Sequence, residues 1–408
     1  MDGIGNALFR HHTRIVFGPG VLAALPAEVL ALGLRRALVV CDPGITRLGL
    51  ADRVVAVLAG EGVECTCFDA LSENPRDAEC CAAAAAAEET GADVVIGLGG
   101  GSAMDAAKAA AALVTNGGTV KDWEDPRQLE HEPLPLVCIP TTAGTGSEVT
   151  FVAVITDEVD HYKMALRGTG LGPAVAVIDP ELTLSLPPAL TAATGMDALA
   201  HAVEAYTCKR ANPITDALAL RAIALIAGSL RTAVRDGGDL EARSGMLLGS
   251  TIAGMAFGNS TVGAVHCLGE ALGGLYDTPH GVAVAVFLPG VFRFNIAADP
   301  GRHADVARAM GAGGPPAGTF GDSAAATAGS TPGTAGGEAA VAELGAAAIE
   351  RLMADVGISR LADLPGVDPA DFASIARTSA SFSVSQMNPR EISAADYLAI
   401  LHQTYGPG

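Results

Sequence analysis

The chain has 408 residues, enough for two or three domains that each bury a core. Half of them are hydrophobic and 17% are charged, which excludes a disordered chain, and the formal net charge of −20 argues against nucleic acid as a main partner. No apolar run reaches the roughly 18 residues of a membrane span, and the opening MDGIGNALFRHHTRIVFG lacks the basic-then-apolar order of a secretory signal. The expectation is a cytoplasmic chain with no membrane partner. Eight cysteines, at 41, 65, 67, 80, 81, 138, 208 and 267, form no CxxC pair and are expected to be free thiols.

From the N-terminus, short β-branched runs alternate with helical runs. Residues 36–42 (RALVVCD) predict a buried strand, 48–60 a helix, 63–68 a strand and 75–90 an Ala-rich helix. Residues 93–98 (DVVIGL) predict a strand that runs into GGGS, followed by a helix over 104–114 and a strand over 136–139. Such alternation indicates parallel βαβ units, an α/β domain with a Rossmann-like sheet. After SLPP at 185–188 long Ala/Leu-rich helical segments take over: 189–206, 214–236, 240–257, 262–272 and 282–295. The expected division is an α/β dinucleotide-binding domain over 1–185 and an all-α domain over 186–408. Residues 311–340 are Gly/Ala/Pro/Ser/Thr-rich and read as a mobile insertion between helices, because they offer too little apolar surface to offset their chain entropy.

Two segments suit a nucleotide. Gly99, Gly100, Gly101 and Ser102 lie between a strand and a helix, where backbone and helix N-terminus can approach a pyrophosphate. PTTAGTGSE (140–148) interleaves hydroxyls and glycines directly after the next strand. Asp42 closes the first strand, where a carboxylate accepts hydrogen bonds from a ribose and repels a 2′-phosphate, favouring NAD over NADP; the plainer use is a turn-forming Asp before Pro43.

One set of residues suits a cation. Asp197 and His201 fall at i and i+4, on one helix face, and His266 and His280 follow on the next helical pair. One carboxylate and three imidazoles make an N/O site for Fe(II), Zn(II) or a similar ion. Of the nine histidines, His11, His12, His131, His161, His303 and His402 lack such company and are expected to be surface or structural groups.

GGGSAMDAAK (99–108), PTTAGTGSEVT (140–150), TGMDALAHAVEAY (194–206) and HCLGEALGGLYDTPHG (266–281) together resemble the iron-containing, or group III, alcohol dehydrogenases. The likeness is strongest to the lactaldehyde/propanediol oxidoreductase branch and covers the chain from about residue 9 to Asn388–Pro389–Arg390, the low-complexity segment apart. The resemblance implies a dehydroquinate synthase-like architecture, NAD(H) with a divalent metal (iron first, zinc as the alternative), and a homodimer or larger homo-oligomer. It implies hydride transfer between the nicotinamide and a small primary alcohol, diol or aldehyde, with the metal as Lewis acid on the substrate oxygen.

Residue by residue, the resemblance puts Asp197, His201, His266 and His280 on the metal, and Gly100, Gly101 and Ser102 at the pyrophosphate. It puts Thr141, Thr142 and Thr145 around the phosphates and nicotinamide, Asp42 at the NAD-selecting position and Lys163 near the nicotinamide ribose. Phe151 and Phe257 line the substrate pocket by the same likeness; position 151 is polar in the propanediol enzymes, so a more apolar, smaller pocket is expected. Many relatives carry a second histidine four residues after the third ligand, where this chain has Glu270. We expect Glu270 to relay a proton through water or to hydrogen-bond a second substrate hydroxyl; the plain alternative is a glutamate salt-bridged at the edge of the cleft.

The sequence allows three other readings. One is a glycerol-1-phosphate dehydrogenase or dehydroquinate-synthase-like enzyme, disfavoured by the few Lys and Arg near the motifs. Another is a non-catalytic nucleotide-binding relative, disfavoured by the intact ligand set. The third, inside the family, is a pathway-specific reductase of a functionalised aldehyde.

Overall fold

The structure is a computed structural model that describes residues 7–72, 74–159, 162–314 and 335–406. Its elements in chain order are β1 (Arg14–Phe17), α1 (Leu25–Ala31), β2 (Arg36–Val40), α2 (Pro43–Arg47), α3 (Leu50–Gly60), β3 (Glu64–Phe68), α4 (Asp77–Thr90), β4 (Val94–Gly99), α5 (Gly101–Asn116), β5 (Leu136–Pro140), β6 (Val152–Thr156), β7 (Lys163–Arg167) and β8 (Val175–Ile178). The helices α6 (Pro188–Thr207), α7 (Pro213–Arg235), α8 (Leu240–Phe257), α9 (Ala264–Tyr276), α10 (His280–Ile296), α11 (Pro300–Ala309), α12 (Ala335–Asp355), α13 (Phe372–Ser381) and α14 (Ala394–Tyr405) follow.

Six strands form one parallel sheet in the order β1-β8-β5-β4-β2-β3. The Val/Ile/Leu runs of β2, β4 and β5 are buried on both faces, as a parallel sheet covered by helices requires. One face carries the Ala-rich α4 and α5 with Trp123; the other carries α1 and α3. The strand order reverses between β2 and β4, and the crevice beyond the carboxyl ends of strands at such a reversal is where open α/β sheets take ligands. The edge strand β1, its neighbour β8 and the antiparallel β6–β7 hairpin were not anticipated. At four or five residues each they give too short a pattern to stand out.

The residues form two compact units. The first holds Arg10–Pro187 together with Asp236–Gly258, so α8 belongs with the sheet. The reason is a close approach: a Cβ on Gly146, whose φ is 61°, would lie 2.6 Å from the Cα of Gly254, and Thr251 donates a 2.7 Å hydrogen bond to buried Glu148. The second unit, Pro188–Arg235 and the described residues from 259 onward, is built of helices.

Two expectations need correction. Residues 315–334 of the low-complexity stretch lie outside the described residues, as does His161, but α12 already begins at Ala335. The Ala and Glu residues after Gly337 favour helix and outweigh the two glycines ahead of them. In addition α7 is long and apolar enough, by length and composition, to cross a membrane. Here one of its faces packs against α6 and α11, with Ala219, Ile223, Ile226 and Leu230 fully buried.

Candidate metal centre and nucleotide loop

In the first unit the glycine segment turns directly from β4 into α5. Gly99 has φ +147°, and a Cβ there would sit 2.8 Å from the Cβ of Ala103, so no other residue fits the turn without displacement. A Cβ on Gly101 would lie 2.8 Å from Thr145 Oγ1, and one on Gly100 3.4 Å from Thr142. Thr141 donates its backbone N–H to the Gly99 carbonyl at 2.9 Å. The two segments singled out in the sequence therefore face each other at the ends of neighbouring strands, with Ser102 in the first turn of α5. The 16-residue α5 presents its positive dipole end there, and the bare glycines leave room for an anion at the backbone.

Asp42 sits across the strand reversal, its second oxygen 3.8 Å from where a Gly99 Cβ would be. Its first oxygen caps α2, accepting from Gly44 N at 2.7 Å and Ile45 N at 3.3 Å, so the turn-forming use is realised. Lys163 opens β7 opposite Thr156, and its charge acts on Asp105 of α5. Phe151 packs its ring against His12, with centroids 5.3 Å apart, and against Gly172. Phe257 ends α8; its neighbour Gly258 packs near Thr150, the residue before Phe151, so both phenylalanines lie on adjoining segments.

Sequence reasoning missed Lys108. It is buried on α5, and its ammonium donates to Ser147 O (2.7 Å), Ser147 Oγ (2.8 Å), Val152 O (2.9 Å) and Thr150 Oγ1 (3.1 Å). Asp105 accepts from Ser147 Oγ at 2.6 Å and Val154 N at 2.9 Å. Together they fasten the 147–154 segment onto α5, downstream of the threonines. Burial pulls Lys108 down and Asp105 up from their ordinary values, and each charge opposes that shift in the other.

In the second unit, α6 is buried on nearly every side, yet Asp197, His201 and Glu204 recur on one face at i, i+4 and i+7. His266 comes from α9 and His280 from the first residue of α10. Two close approaches set these helices. A Cβ on Gly281 would overlap the Ala193 carbonyl of α6, and one on Gly269 would lie 2.7 Å from Val284 of α10. His266 Nε2 and His280 Nε2 each lie 3.6 Å from Asp197 Oδ1, and His201 Nδ1 lies 3.8 Å from Asp197 Oδ2. The His201 and His266 rings stack at 4.5 Å.

Asp197 Oδ1 and His266 Nε2 are buried polar atoms with no hydrogen-bond partner. Leaving such atoms unpaired is costly, and a cation among them satisfies both. Asp197, His201 and His266 bring ligand atoms within 4.8 Å of one another, with His280 at the open side. The donor set therefore fits a divalent first-row ion.

Glu204 is the second residue the sequence reading passed over. One oxygen accepts from Val265 N at 2.7 Å and the other binds His266 Nδ1. That contact fixes the tautomer that turns Nε2 toward Asp197. Its signal was legible as the third acid or imidazole of the α6 face, one turn beyond His201. Glu270, in turn, places Oε1 3.5 Å from His280 Nδ1.

The charges follow. Burial works to raise Asp197, but the three imidazoles outweigh it and hold the carboxyl well below its usual range. Burial works to lower His266, but Glu204 and Asp197 outweigh it and push it up to about 10. Without metal, His266 thus carries a proton between two carboxylates. A folded value above the ordinary 6.5 means this proton stabilises the metal-free fold fully below about 6.5, and that the stabilisation is lost as pH rises through about 10. Metal uptake must expel the proton, so Zn(II) affinity is expected to rise about tenfold per pH unit between pH 7 and 9, with one proton released per ion. Calorimetry in buffers of different ionisation enthalpy checks this; uptake without proton release would contradict it.

Of the remaining described histidines, His12, His131 and His402 are exposed and His303 is buried. His12 contacts the Gly172 carbonyl at 3.1 Å, and His303 contacts the Asp299 carbonyl at 2.8 Å while packing on Phe292. All eight cysteines are free.

Comparison with known proteins bears on the same residues. The family model described as iron-containing alcohol dehydrogenase matches residues 12–180, and that family's C-terminal model matches 191–405. The chain belongs to the iron-containing alcohol dehydrogenase family. It is 38% identical to a 1,3-propanediol dehydrogenase of Klebsiella pneumoniae, over 95% of this chain and 96% of that one. An alcohol dehydrogenase from Oenococcus oeni superposes with a TM-score of 0.89 at 35% identity, covering 98% of this chain and all of the other. A sulfoacetaldehyde reductase from Bifidobacterium kashiwanohense, solved with NAD+, does so at 0.87 and 30%, covering 99% and 100%. This member of the iron-containing alcohol dehydrogenase family is an oxidoreductase, with the parallel-sheet and helical parts its neighbours share.

Proposed function

We propose that this chain is a metal-dependent, NAD(H)-linked alcohol dehydrogenase and aldehyde reductase. Its substrate is a small primary alcohol, diol or aldehyde, and its cation is Fe(II), with Zn(II) as the competing ion. The observation that carries the reading is the buried Asp197 carboxylate with three imidazoles turned toward it and no partner of its own for Oδ1. When bound, the cation supplies Lewis acidity at the substrate oxygen and the nicotinamide supplies hydride chemistry.

The chain's own residues hold and orient. Gly99, Gly100, Gly101 and the α5 N-terminus suit the pyrophosphate; Thr141, Thr142 and Thr145 suit the phosphates and nicotinamide. Asp42 suits the adenosine ribose and disfavours a 2′-phosphate, and Lys163 suits the nicotinamide ribose. Phe151 and Phe257 suit an apolar wall of the substrate pocket. Asp197, His201, His266 and His280 suit the cation, with Glu204 fixing the His266 tautomer. The NAD+ complex of the sulfoacetaldehyde reductase supports the cofactor, and its substrate supports the narrower alternative of a reductase for a functionalised aldehyde. A cytoplasmic homo-oligomer, dimeric or larger, completes the proposal by family likeness.

The test is a panel of short aldehydes and diols with NADH or NAD+, run on metal-depleted protein and after Fe(II) or Zn(II) is restored. We expect turnover only with metal, and faster with iron. Wild-type turnover in excess chelator would overturn the reading. Conversion of a phosphorylated substrate without net NADH change would favour the synthase-like alternative.

A further inference from the structure

We propose that Glu270 is a positioning residue for the cation site, its carboxylate holding the Nδ1 proton of His280 so that Nε2 faces Asp197. The inference rests on the metal reading above and goes beyond it. It moves Glu270 from substrate handling to support of a ligand.

On α9, His266 and Glu270 are at i and i+4, on one face of the helix. His266 turns its own Nε2 into the site, while Glu270 reaches the next ligand, with Oε1 3.5 Å from His280 Nδ1. Only residues 277–279 separate α9 from α10, and Asp277 takes a left-handed φ of 54° to make that turn. The close packing of Gly269 on Val284 keeps the two helices in register. Glu270 therefore faces the first residue of α10 by construction.

A tighter version of this arrangement stands beside it on α6 and α9. Glu204 binds His266 Nδ1, and His266 Nε2 lies 3.6 Å from Asp197 Oδ1. Glu270 faces His280 Nδ1, and His280 Nε2 also lies 3.6 Å from Asp197 Oδ1. An imidazole held by a carboxylate at one nitrogen is locked in tautomer and made a stronger donor at the other. The two pairs differ in burial. The side chains of Glu204 and His266 are 6% and 7% exposed, whereas Glu270 and His280 are each 33% exposed. The second pair stands where water reaches it, so its loss is tolerated by the fold and is felt at the cation. Asp197 is the one anion in the ligand set, and Glu270 adds a second negative charge through His280.

The test uses Co(II) as the probe on the full-length protein, with affinity measured by chelator competition and geometry by the visible absorption bands. Wild type is expected to bind one Co(II) per chain. Glu270→Ala is expected to bind it 10- to 100-fold more weakly with shifted bands. Glu270→Gln, which keeps an acceptor oxygen and loses the charge, should fall between. The ranking of aldehydes by kcat/KM should stay as in wild type, and unfolding in chelator should be unchanged. Wild-type Co(II) affinity and spectrum in Glu270→Ala would overturn the inference while leaving the metal site standing, as would a changed substrate ranking at unchanged affinity. No Co(II) binding by the wild type would overturn the metal reading and this inference together.

Discussion

Asp197→Ala is expected to leave the protein folded, empty of metal and slower by at least about a thousandfold. Asp197 is the point on which the site converges, since each of the three imidazoles has a nitrogen within 3.6–3.8 Å of one of its oxygens. It is also the anion that offsets the charge of the incoming ion. Removing it leaves three neutral donors, one of them facing the water side, which hold a divalent ion poorly. Loss of Lewis acidity at the substrate oxygen costs several kcal/mol of transition-state stabilisation, and about 4 kcal/mol is a thousandfold in rate. The helix should persist, because alanine is the best helix former and α6 is held on all sides by apolar contacts. Metal analysis beside circular dichroism checks both halves. A variant that kept stoichiometric metal, or turned over at the wild-type rate, would contradict the assignment.

The second large effect is expected at Lys108, outside the metal ligands. Lys108→Met keeps most of the volume and removes the ammonium that four oxygens surround. The Ser147 and Val152 carbonyls lose their donor, and Asp105 loses its nearby cation. Removing one partner from such a buried set costs about 3–5 kcal/mol, since the other groups stay out of water unpaired. For a unit of this size that is a fall in Tm of about 10 °C. The segment released lies just past Thr145, so KM for the nucleotide should rise more than kcat falls. Differential scanning calorimetry and NADH titration give the two readouts. A Tm within 2 °C or so of wild type would show that the contacts are dispensable.

Much of this was legible in the residues, and what was not has physical reasons. The buried runs RALVV and VVIGLG announce central strands, because a strand covered on both faces needs continuous apolar side chains. Asp197 and His201 stand out as candidate ligands because α6 spaces them one turn apart, a local regularity. Lys108 was visible in its motif but silent in meaning. Its partners lie about forty residues on, and only folding brings them to it. Glu204 was the continuation of a face read one turn too short. Glu270 was read toward the substrate, because its reach to His280 depends on the α9–α10 turn and on Gly269, and spacing alone reveals neither.

The proposed function requires one cation held by Asp197, His201, His266 and His280. Anomalous diffraction at the cobalt edge from crystals of Co(II)-loaded protein is the most direct measurement. The expected result is a single strong peak in the second unit, within about 2.0–2.3 Å of one Asp197 oxygen and one nitrogen of each imidazole. A peak elsewhere, or none at these four side chains in protein that binds Co(II) and turns over, would contradict it.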